Sequence, residues 1–190
     1  THQTEWQAMY NALTLIHEVG HTFGAIHVSD KYSIMNHNLT WLATTEFDPI
    51  NKQIISDALK GKLTFINKEN YLTYVTNLIL ASDYYLVDIP SFYYKFFKRK
   101  SDSLLFQSFS DTERYKPFLY AASGYGYMEG RQYKLAAVEF KKALEYLPTQ
   151  ASLYYYLSLC SEGDESEKYL KKAYQMGFYL AEVEFHNVIN

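Results

Sequence analysis

The chain has 190 residues, 48% of them apolar and 21% charged, with a net charge of -3. That composition supports the packed core of one large or two small domains, and it lacks the concentrated basic excess of a general nucleic-acid surface. No apolar run reaches the roughly 18 to 20 residues that span a bilayer, and the single cysteine, Cys160, cannot form an internal disulfide.

Residues 5–19 read as a helix capped by Thr4, with Trp6, Met9, Tyr10, Leu13, Ile16 and Val19 at helical spacing. Its end carries His17 and His21, four residues apart and so one turn above the other on a single face. A catalytic zinc takes three protein ligands and leaves a fourth position to water, so a third ligand must come from beyond the helix. Gly24 ends the helix by taking a positive φ and lets the chain turn back, which makes His27 the third ligand. Glu18 sits about 100° around the helix from His17 and is placed to hold the metal's water and move its proton. A lone helical histidine is ordinarily a packed or solvated residue. All five residues at these spacings, however, arise by accident in on the order of one in 10^5 chains of this length.

The pattern His17, Glu18, His21, Gly24, His27 resembles the H-E-x-x-H-x-x-G-x-x-H motif of the metzincin zinc endopeptidases, and Ser33-Ile34-Met35 resembles their Met-turn. The interval from His27 to Met35 is similar to that of the matrixin branch, and Asp30 stands where some matrixins carry an aspartate. Two positions depart from the pattern. Val28 follows the third histidine and suits none of the large branches, and His37 stands where astacin-like and serralysin-like enzymes carry a zinc-approaching tyrosine. His37 is open to two readings: a fifth ligand or donor to the developing oxyanion, or a loop residue with no catalytic share. By resemblance Met35 is an apolar floor beneath the imidazoles and not a ligand.

The resemblance implies a Zn2+-dependent endopeptidase in which Glu18 takes the proton of the attacking water and later protonates the leaving amine. It also implies an extracytoplasmic protein, and a wall for the substrate pocket from residues 36–41. There Trp41 is either a pocket residue or a core aromatic. Metzincins carry a twisted sheet upstream of the zinc helix, whereas here Thr1 stands 16 residues before His17. The expectation is a processed or truncated piece of a longer protein, with residues 1–62 forming the helical lower half of the catalytic domain.

Asp48-Pro49 starts a helix by side-chain cap and N1 proline, with Ile50, Ile54, Ile55, Ala58 and Leu59 on one face and Gly61 at its close. Residues 63–112 read as a helical connector. Its first helix runs over 69–87 on Tyr71, Leu72, Val75, Leu78, Ile79 and Leu86 and is ended by Pro90. Residues 92–100 follow, aromatic and then basic at Lys98, Arg99 and Lys100, and read as a packed helix with a solvated end.

Residues 113–190 have a period of their own. Tyr120, Gly124, Tyr127, Ala136, Phe140, Ala143 and Pro148 fall at offsets that resemble a tetratricopeptide repeat, with Gly130 in the turn. A second unit places helices over 153–160 and 167–176, with a short turn at 161–166, Ser166 in place of the early alanine, and Ala173 at the close approach. The helices over 69–110 and 178–189 would cover the ends, and His186 reads as surface. The fold class expected is thus mainly α. Beside the peptidase substrate, the repeats imply a protein or peptide partner, and a rival reading makes the chain an interaction scaffold with a structural or inactive zinc site.

Overall fold

In a computed structural model the described residues are 2–39, 43–63, 67–98, 109 and 112–189. Among them the fold is mainly helical, with nine α-helices and no strand. The chain divides into two compact units, residues 1–84 and 85–190. The stretch 63–112, expected as a connector, is shared between them. Trp41, Arg99 and Lys100 lie outside the described residues.

In the first unit α1 runs His2–Thr22, so Thr4 lies inside the helix and does not cap it. Of its predicted apolar face only Leu13 is buried, while Trp6, Met9, Tyr10 and Val19 are exposed. The helix ends in a Schellman motif. Ala25 N donates to Gly20 O at 3.1 Å and Gly24 N to His21 O at 3.0 Å, with Gly24 at φ 83°. This is the turn that glycine permits, and it sends the chain back beneath the helix end.

The chain then folds on itself around residues 28–37. Val28 N donates to Met35 O at 3.0 Å, His37 N to Val28 O at 3.3 Å, and Ile34 N to Glu46 O at 2.9 Å. Helix α2, Pro49–Leu59, starts as predicted, with Asp48 accepting from Asn51 N. Ile50 and Ile54 are buried, but Leu59 is exposed, and Gly61 closes the element at φ 69°.

Helix α3, Lys68–Ala81, is capped by Asn67. It stops short of the predicted Val87, which leaves Leu86 outside it. Ser82 is the physical reason: its N–H and its hydroxyl both turn to Ile79 O, and its oxygen accepts from Tyr84 N, each at 3.3 Å. A serine offering local hydrogen bonds competes with the helical ladder. Leu72, Val75 and Ile79 carry the buried face.

The second unit opens with α4, Ile89–Phe97. Pro90 stands in its first turn, and so begins this helix where the sequence suggested it would end the previous one. Two helical hairpins follow: α5, Lys116–Glu129, with α6, Tyr133–Tyr146, then α7, Ala151–Leu159, with α8, Gly163–Gln175. Helix α9, Tyr179–Ile189, packs on α8. A β-carbon on Gly124 would lie 2.6 Å from the Phe140 ring, so the missing side chain is what lets α5 approach α6. Ala136, Phe140 and Ala143 are fully buried.

Gly130 closes α5 at φ -79°, and Arg131 takes the left-handed φ of 57° in that turn. The turn of the second hairpin is tighter than 161–166, because α8 begins at Gly163. Ser166 thus lies inside α8, where its hydroxyl donates to Ser158 O on α7 at 2.8 Å. Ala173 is fully buried, and His186 is exposed as expected.

Candidate metal centre

Three imidazoles converge where α1 ends. Nε2 of His17 lies 3.2 Å from Nε2 of His27 and 3.2 Å from Nε2 of His21, and Nε2 of His21 stands 3.1 Å from Nε2 of His27. His17 is buried and the other two are half-buried. The helix supplies His17 and His21, and the Gly24 turn delivers His27.

Each helical histidine is oriented by a backbone carbonyl. Nδ1 of His17 donates to Ile34 O at 2.7 Å, and Nδ1 of His21 donates to Ala25 O at 2.8 Å. A carbonyl only accepts, so both rings carry their proton on Nδ1 and present a bare Nε2 lone pair to the cluster. Lone pairs held this close repel unless a cation stands among them. A tetrahedral metal with about 2.0 to 2.1 Å bonds to nitrogen needs ligand atoms roughly 3.3 Å apart, which the observed spacing fits. His17, His21 and His27 can therefore hold a metal ion. Among the described residues this is the sole group of three or more candidate ligand side chains, and it contains no carboxylate.

Glu18 is exposed on α1, next to buried His17. Met35 is fully buried beside Gly20, where an added β-carbon would stand 2.9 Å from the Met35 sulfur. His37 is exposed and packs edge-on against His27, with 4.6 Å between ring centroids. Its Nδ1 lies 3.3 Å from Nδ1 of His27, and it is not one of the converging ligands. Asp30 holds the preceding turn, accepting from Tyr32 N at 3.0 Å through its carboxylate.

The supports of this centre were not foreseen. Asn51, buried on α2, takes both backbone groups of Ile26, accepting from its N–H at 2.7 Å and donating to its carbonyl at 2.9 Å. The same amide donates to Asp48 at 2.7 Å, and Asp48 accepts from the Ser33 hydroxyl at 2.8 Å. Ser33 Oγ in turn accepts from Met35 N at 3.0 Å. One buried network thus ties the start of α2 to the residue before His27 and to the turn that carries Met35. Burial raises the Asp48 carboxyl above its ordinary range, opposed by the hydrogen bonds from Asn51. From α3, the Tyr71 hydroxyl donates to Gly24 O at 2.7 Å and pins the glycine turn. The sequence did hold a signal for Asn51, a polar side chain on an otherwise apolar stripe.

Comparison with protein-family models, curated proteins and solved structures finds no significant match to this chain.

Proposed function

We propose that this chain is a zinc-dependent endopeptidase of metzincin type. The observation that carries the reading is the convergence of three Nε2 atoms at 3.1 to 3.2 Å, with two of the rings fixed by carbonyls in the tautomer a metal requires. Three imidazoles on a helix and the turn beyond it suit zinc and leave a coordination position open. Zinc in such a site lowers the pKa of water towards about 7 and polarises a carbonyl.

The protein's own part falls to a few groups. His17, His21 and His27 hold the ion, and Met35 fills the space beneath them without ligating. Glu18, exposed at the same helix end, receives the proton of the attacking water and returns it to the leaving amine.

For residues 113–190 we propose tetratricopeptide-like repeats that bind a protein or peptide. The Gly124 to Phe140 approach and the full burial of Ala136, Ala143 and Ala173 support that reading. The test is metal analysis combined with digestion of a peptide library by the native chain and by Glu18→Ala. The variant should keep its zinc and lose hydrolysis at least about 100-fold. Zinc without cleavage by either protein would favour the scaffold reading, and equal cleavage by both would remove Glu18 from the mechanism.

A further inference from the structure

We infer that His37 is the positioning residue for His27, accepting a hydrogen bond from its Nδ1 and holding the third ligand as backbone carbonyls hold the other two. This rests on the metal-site reading above. His17 and His21 have Ile34 O and Ala25 O against their Nδ1 atoms. Against Nδ1 of His27 stands Nδ1 of His37, at 3.3 Å.

Two facing ring nitrogens can share one proton only, so one must carry it and the other must be bare. A ligand ring presents a bare Nε2 to the metal and keeps its proton on Nδ1. The shared proton therefore belongs to His27, the bare Nδ1 to His37, and the single N–H of His37 to its Nε2. His37 engages the ring edge of His27 that does not face the cluster, which separates this role from that of a fifth ligand.

The backbone fixes the pair. His37 N donates to Val28 O, one residue after His27, and Val28 N donates to Met35 O. Buried Asn36 donates through its side chain to Asp30 O at 2.9 Å and accepts from Asn38 N at 2.8 Å, so both flanks of His37 are anchored. The turn that carries Met35 thus also presents the acceptor for His27.

The test is zinc affinity, measured by competition with a chromophoric chelator, for the native chain, His37→Phe and His37→Asn, with helix content checked by circular dichroism. Phenylalanine keeps the ring and loses the acceptor, whereas the asparagine Oδ1 occupies nearly the place of the histidine Nδ1. His37→Phe should bind zinc about 10- to 100-fold more weakly, and His37→Asn should recover most of that loss. Native affinity in a folded His37→Phe would overturn this inference alone, and so would an equal loss in both folded variants. A native chain that binds no zinc would overturn it together with the metal-site reading.

Discussion

Gly20 and Met35 are in contact across the end of α1, so close that a β-carbon on the glycine would meet the methionine sulfur at 2.9 Å and the Phe47 ring at the same distance. Met35 is fully buried, and its neighbour Ile34 supplies the carbonyl that orients His17. Alanine at position 20 would gain up to about 1 kcal/mol in helix propensity, but overpacking costs about 1 to 3 kcal/mol. Gly20→Ala is therefore expected to lower the thermal midpoint and weaken zinc binding several-fold. A variant with a raised midpoint and native affinity would show that the contact is not restrictive.

Asn51 satisfies both the N–H and the carbonyl of Ile26, the residue before His27. Asn51→Ala would leave two buried backbone groups without that partner, each costing about 1 to 3 kcal/mol. The expected result in urea unfolding is a loss of roughly 2 to 6 kcal/mol, accompanied by weaker zinc binding because His27 is no longer held. A loss below about 0.5 kcal/mol, the scale of an ordinary surface substitution, would contradict this account of the network.

In the second unit Gly124 faces Phe140, whose ring would be 2.6 to 2.7 Å from an added β-carbon. Gly124→Ala should therefore cost about 1 to 3 kcal/mol through overpacking. Phe140→Leu in the same chain should recover part of it, since contacting sites are not additive. Additive losses in the double variant would deny the close approach between α5 and α6.

Asp88 accepts from Ser91 N at the start of α4 and from the Tyr156 hydroxyl on α7 at 3.1 Å. Burial raises its carboxyl from 3.8 to about 6, with the hydrogen bonds from Tyr156 and Ser91 opposing the shift. The folded chain thus holds this proton more tightly than the unfolded chain. Its stabilising contribution is fully present below about pH 4 and is lost as pH rises through about 6. Relative to Asp88→Asn, the native chain should lose stability over that interval, by on the order of 3 kcal/mol. Parallel stability curves for the two proteins between pH 4 and 7 would refute the shift.

What could be read from the amino-acid order was local. The four-residue spacing of His17 and His21, the turn at Gly24 and the Asp48-Pro49 start each depend on neighbours along the chain, and the structure places all three as expected. The supports were hidden because their partners are distant. Asn51 reaches Ile26 across 25 residues, and His17 finds Ile34 O across 17. The apolar spacing of α1 suggested a buried face, yet Trp6, Met9, Tyr10 and Val19 are exposed, since periodicity marks which side is apolar and not whether anything covers it. Likewise the apolar pattern beyond Ala81 suggested a longer α3, and the local hydrogen bonds of Ser82 prevail over it.

The most direct test of the centre is anomalous diffraction at the zinc edge from crystals of the metal-loaded chain. One strong peak is expected, bounded by the Nε2 atoms of His17, His21 and His27, and it should disappear in His21→Ala. A zinc peak elsewhere, or none from a fully loaded protein, would contradict it.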